Sequence, residues 1–383
     1  MTQEKTPSRR DQILQALALM LEEDSGKRIT IAALARDKVG DLSLAERHLE
    51  AVLGLTADDD GALDELISVS RHTRDDRRLV ELLVAKADAS PDPAEVRSLL
   101  AEAGEISGRD DETLERAIEI IERLYELDPT APEPLEDLDR LYGRLGAWEA
   151  LADVLGKKLE RASAPGDLAT IGARLGELQS ERLGATQEAV ETWRRVLEWA
   201  PGDRAALKAL DALYAQLEDW TNLKDVLVRL QSECDELAWV DLQFRISELD
   251  RREDRLDRPH EAIAGYAALL DRRPDHEKTR EALRLMIESG DEPEAAFSVL
   301  EPVLANSHDL ELIWHLHEAR ATQQLDDDAV RFETYREMAR LATEDMRAPA
   351  RAFEAWCSAL ETDPARAEAR EALSKLAEAR AMD

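Results

Sequence analysis

The sequence predicts an all-α fold, a solenoid of repeated helical hairpins, and three observations predict it. The composition is that of long amphipathic helices, with 35% charged, 44% hydrophobic and only 4% aromatic residues among 383. One helical packing pattern recurs along most of the chain at a nearly constant interval. Most copies also carry their own stop signal, a proline placed where the helix must end.

The pattern is Ala, a large apolar residue four later, a small or aliphatic residue three after that, and Pro five further on. It occurs as Ala117, Ile121, Leu124, Pro129, then Ala189, Trp193, Val196, Pro201, and again as Ala262, Tyr266, Leu269, Pro274. A later copy is Ala352, Trp356, Ala359, Pro364, and an early one, Ala45, Leu49, Val52, Ala57, lacks only the proline. Steps of four and three put the three packing residues on one helical face. From position 57 to 129 to 201 the step is 72 residues, to 274 it is 73, and to 364 it is 90. The long last step predicts one additional helix, with residues 293–305 and 308–324 both reading as helical where the regular unit supplies one.

A second helix follows each proline, marked by Leu135, Leu138 and Tyr142 and, 72 residues on, by Leu207, Leu210 and Tyr214. A third opens at Trp148, Leu151 and Leu155, matched by Trp220, Leu223 and Leu227. Two hairpins therefore make one 72-residue unit. The large-residue, Leu, Tyr spacing followed by Ala, aromatic, small residue and Pro resembles the tetratricopeptide repeat signature, over about residues 42–381. That resemblance implies a right-handed superhelix whose concave surface is built mainly from the first helix of each pair. Asp139 and Asp211 stand where the family usually has a small residue, which implies looser helix packing there.

Residues 1–40 do not fit the repeat. The run from Ser8 to Glu22 and the stretch Arg28 to Ala35 resemble the first two helices of a TetR-type repressor head of the nucleoid occlusion kind. In that family the third helix enters the major groove. The corresponding stretch here, Val39 to Leu49, is a residue short and lacks the Tyr before Arg47-His48, and Ala45, Leu49 and Val52 are already claimed by the repeat. The expected organisation is a helical cap over 1–40, packing through Ile13, Leu14, Leu17 and Leu21, and a solenoid over 41–381.

Charge and chemistry narrow the function. The formal charge is −34, and residues 1–48 are neutral with eight basic and eight acidic side chains, so the other 335 residues hold 42 basic against 76 acidic groups. Such a surface repels a phosphate backbone, so nucleic acid is not expected and a basic protein partner is. No stretch approaches the roughly 20 apolar residues of a membrane span, and no export signal is read, which predicts a cytoplasmic protein. Cys234 and Cys357 form no CxxC pair. None of the seven histidines sits at ligand spacing, and His315 and His317, two apart, point in different directions on a helix. GxGxxG, GxxxxGK and GxSxG are absent, and Gly146, Gly184 and Gly290 read as left-handed helix caps. No catalytic residue, metal ligand or cofactor site is therefore expected.

The expected function is a non-enzymatic interaction scaffold that holds a peptide or helical segment of another protein in its groove. The first helices offer Glu133, Glu136, Asp137, Arg140 and Arg144, and then Lys208, Ala209, Ala212 and Gln216, to that groove. The Lys and Asn pair by which the family's chaperone-tail binders grip a carboxylate is missing at the matching places. The tryptophans read as packing residues, with Trp239 a candidate peptide anchor. The alternative is a DNA-linked regulator that uses the TetR-like head and senses a partner through its repeats.

Overall fold

The computed structural model describes residues 25–57, 59–252, 254–323 and 327–382, with side chains described to 378. The TetR-like residues 8–24, including Ile13, Leu14, Leu17 and Leu21, lie outside the described residues. Twenty α-helices and no strand occur among the described residues. The chain forms two compact units that divide between Ala200 and Pro201.

The N-terminal unit contains α1 (Ser25–Leu34), α2 (Leu42–Leu53), α3 (Asp60–Thr73), α4 (Asp76–Ala89) and α5 (Pro93–Ser107). It continues through α6 (Leu114–Leu127), α7 (Glu133–Leu145), α8 (Trp148–Arg161), α9 (Pro165–Leu178) and α10 (Thr186–Trp199). Each helix packs on the next in chain order, the arrangement of a repeat array. A wider π turn, Ala35–Val39, ends α1, and Ala32 and Ala35 join Ala45, Leu49 and Val52 in one buried cluster. The residues read as a DNA-facing helix thus bury their apolar side: Ala45, Leu49 and Val52 are fully covered and His48 nearly so.

The C-terminal unit contains α11 (Arg204–Gln216), α12 (Trp220–Ser232), α13 (Glu236–Arg251), α14 (Pro259–Arg272) and α15 (Glu277–Ser289). Then come α16 (Pro293–Ser307), α17 (Leu310–Gln323), α18 (Asp328–Glu344), α19 (Pro349–Thr362) and α20 (Ala367–Met382). Between Pro274 and Pro364 lie five helices, α15 to α19, where each earlier step holds four.

Local sequence explains the boundaries. Asp41, Asp59, Asp75, Asp92, Asp203, Asp219, Asp235 and Asp327 are N-caps whose carboxylates accept from the first free backbone N–H groups. Pro93, Pro165, Pro259, Pro293 and Pro349 open helices where no N–H donor is needed. The turn between paired helices repeats in register: Arg74, Gly146, Glu218 and Gly290 all have positive φ, at 56°, 75°, 57° and 82°, spaced by 72 residues. In each turn the next N–H donates to the carbonyl five residues back, as in Asp75 to Ser70, Ala147 to Tyr142, Asp219 to Tyr214 and Asp291 to Met286. This is a Schellman closure, and it pays for a left-handed residue with carbonyls that would otherwise be orphaned.

The repeated alanines, Ala45, Ala117, Ala189, Ala262 and Ala352, are all 0% exposed, since only a methyl fits where the helices meet. A Cβ at Gly176 would lie 2.7 Å from the Trp193 indole, so that glycine is required by a close approach. Each unit is thus an all-α, tetratricopeptide-like array of helical hairpins.

Candidate functional site

In the N-terminal unit, α7 buries Pro134, Leu135, Leu138, Asp139, Leu141 and Tyr142. The spacing of those residues leaves Glu133, Glu136, Arg140 and Arg144 exposed and Asp137 half-buried on the other side. The five residues singled out by sequence therefore share one outward face. They are not equally available. Arg140 donates to Asp137 at 2.8 Å, an exposed pair one turn apart. Arg144 reaches back to the Gly108 carbonyl and the Asp111 carboxylate, so it ties α7 to the turn before α6.

Behind that face lies a cluster the sequence reading did not assemble. Asp139 accepts from Lys158 of α8 at 2.8 Å and from both Arg174 amino groups of α9, at 2.9 and 2.7 Å. Lys158 also stands 4.0 Å from Glu136. Burial works against ionisation of Asp139, but the hydrogen bonds from Arg174 and Lys158 outweigh it and hold the carboxyl below its usual range. The Arg174 guanidinium, hydrogen-bonded to Asp139, is raised in turn. A shallow depression of about 420 Å³ opens here, lined by Glu136, Asp139, Arg140, Gly143, Arg144, Lys158 and Arg174.

In the C-terminal unit, α11 exposes Lys208, Ala212 and Gln216, leaves Ala209 half-buried, and buries Ala206, Leu207, Leu210, Leu213 and Tyr214. Asp211, one repeat after Asp139, is gripped by both amino groups of Arg245 on α13, at 2.9 and 2.6 Å. Trp239, the candidate anchor, is half-buried, and the Arg272 guanidinium lies 3.8 Å from its ring centroid. One face of that indole is already occupied.

The two aspartates that depart from the family pattern are thus junctions. Each joins the first helix of one hairpin to the first helix of the next by a bidentate Arg–carboxylate pair, 35 residues apart in one case and 34 in the other. Arg71 of α3 makes the same kind of bridge to Glu102 of α5, at 2.7 and 2.9 Å. The signal for it was in the sequence, as an Asp at the same repeat position with an Arg one hairpin later. Among the described residues no group of three or more His, Cys, Asp or Glu side chains is placed to hold a metal. No helix among them is long and apolar enough to cross a membrane.

No family model matches the chain. A curated relative, cellulose synthase 2 operon protein C of Komagataeibacter xylinus, is 32% identical over 153 residues, a match that takes in 37% of this chain and 11% of that protein. Similar solved structures include Naa15/Naa10 bound to HypK-THB, with a TM-score of 0.39 and 13% identity, covering 97% of this chain and 59% of that one. They also include YrrB, a TPR protein with an unusual peptide-binding site, with a TM-score of 0.28 and 17% identity, covering 51% of this chain and 96% of that one.

Proposed function

We propose that the protein is a non-enzymatic interaction scaffold that holds an extended or helical segment of another protein against the outward faces of its first helices. The observation that carries this reading is the bridging of successive first helices by Arg71–Glu102, Arg174–Asp139 and Arg245–Asp211. Such bridges hold neighbouring faces in fixed register, and a preorganised surface loses less entropy when it binds. In this reading the partner segment is basic overall, because a net charge of −34 steers cations toward the surface. Residues 1–40 cap the array and residues 41–381 form it. The described part of the cap, α1, covers Ala45 and Leu49 with Ala32 and Ala35.

Arg140 is the test position. Arg140→Glu should change affinity for a partner isolated from the source cell by about tenfold, with melting shifted by no more than the 0–1 kcal/mol expected of an exposed pair. Arg144→Glu should cost more stability, since Arg144 holds Gly108 and Asp111. Titration calorimetry and thermal melts of both variants measure this. Unchanged partner affinity for Arg140→Glu contradicts the placement of the binding face.

A further inference from the structure

The C-terminal unit holds a second recess, of about 430 Å³, between α12 and α13. Its walls are apolar, formed by Trp220, Leu227, Phe244 and Leu249. Its size falls in the range of ligand pockets, roughly 300–1,000 Å³.

Three charged side chains also line it, Arg245, Glu248 and Arg255, and their partners distinguish them. Arg245 is neutralised by Asp211 through two hydrogen bonds. Glu248 accepts from Arg251 and from the Tyr266 hydroxyl. Arg255 stacks over Trp220, 4.8 Å from the ring centroid, and its Nε is buried with no hydrogen-bond partner. The recess therefore carries one uncompensated positive charge against an aromatic wall, in a chain with 84 carboxylates and 50 basic groups. A buried donor left unsatisfied costs free energy that an incoming carboxylate can recover through the same guanidinium.

Repeat packing does not require this chemistry. One unit earlier, Trp148, Leu151 and Leu155 stand where Trp220, Leu223 and Leu227 do, but Gly172 and Gly176 occupy the positions of Phe244 and Glu248. The shared residues belong to the fold, and the aromatic and acidic additions belong to this recess.

We propose that the recess receives one apolar side chain of the partner segment and that Arg255 takes the carboxylate of an adjacent acidic residue. This rests on the scaffold reading and names a local anchor within an otherwise basic segment. The probe pair is acetyl-Phe-Asp-amide and acetyl-Phe-Asn-amide, titrated into the full chain labelled at its tryptophan indoles, with the Trp220 signal assigned by Trp220→Phe. The Asp peptide should move the Trp220 signal and bind about tenfold more tightly than the Asn peptide. Arg255→Gln should remove that difference and leave the Asn peptide unchanged, while Phe244→Ala should weaken both. Equal affinity of the two peptides, or binding that leaves the Trp220 signal in place, overturns the proposal. Because no partner protein is present, that failure is separate from a failure of the Arg140→Glu experiment, which bears on the scaffold reading alone.

Discussion

Gly146 carries the repeat in a single backbone angle. Its φ of 75° is comfortable for glycine and strained for a residue with a Cβ, yet Arg74 and Glu218 hold the same conformation one unit away on either side. The caps at Gly146, Gly184 and Gly290 were legible from glycine itself. The caps at Arg74 and Glu218 were not, because their conformation is imposed by the register of the helices on both sides. Gly146→Ala should therefore lower stability by about 1 kcal/mol and Glu218→Gly should leave it equal or higher, by chemical denaturation. Equal losses in both would mean that the turn residue's conformation does not limit stability.

His317 is a second single-residue case. Sequence showed that it could not share a metal with His315, and the structure shows why it is kept. His315 is exposed beside Glu318 at 3.2 Å, whereas His317 is 2% exposed, packed on the Phe297 ring and within 3.2 Å of Arg320. Burial, reinforced by Arg320 and Arg340, pushes its pKa down from 6.5 to about 3. The native state thus binds fewer protons than the unfolded state between those values. Stability is unaffected by this residue above about pH 6.5 and falls as pH drops toward 3, by up to about 1.4 kcal/mol per pH unit. His317→Gln should flatten the slope of unfolding free energy across pH 6 to about 4. Identical slopes in the two proteins would mean that His317 is solvated in its charged form.

At the scale of elements, the helices and their faces were readable because the spacing of apolar residues is a local property of the chain. What joins one first helix to the next was not readable, because Asp139 and Arg174 meet only after α7, α8 and α9 have packed, and side-chain reach decides the meeting. Read as a departure from a small-residue position, Asp139 implied looser packing, whereas it is 8% exposed and fully engaged. Asp139→Ala leaves Lys158 and Arg174 without their carboxylate. The loss should be about 2 kcal/mol, below the 3–5 kcal/mol of a fully buried pair because the Arg174 side chain is 50% exposed. Arg174→Ala should cost under about 1 kcal/mol, since Lys158 still holds Asp139. Urea titrations of both variants check the order, and a larger loss for Arg174→Ala would reverse the assignment of Asp139 as the junction.

Across the whole molecule, the interval between prolines governs how many helices each step contains. The 72-residue steps hold four helices and the 90-residue step holds five, which makes about 18 residues the length of one helix with its turn. Positions 45, 49 and 52 of α2 and positions 117, 121 and 124 of α6 are the same face one unit apart, and each prepares the surface on which the following helix lies. Stability in such an array comes from neighbours in sequence, so a whole unit can leave without disturbing the rest. Removal of residues 58–129 places α7 on α2, with Ala45, Leu49 and Val52 in the roles of Ala117, Ile121 and Leu124. Removal of residues 58–111 instead takes out a stretch that is not a whole unit and sets unlike faces together. Circular dichroism and thermal melting of the two deletion variants test the repeat directly. The account predicts a helical, cooperatively melting protein for the first and a loss of helix and cooperativity for the second, and equal spectra with equal melting in both would contradict it.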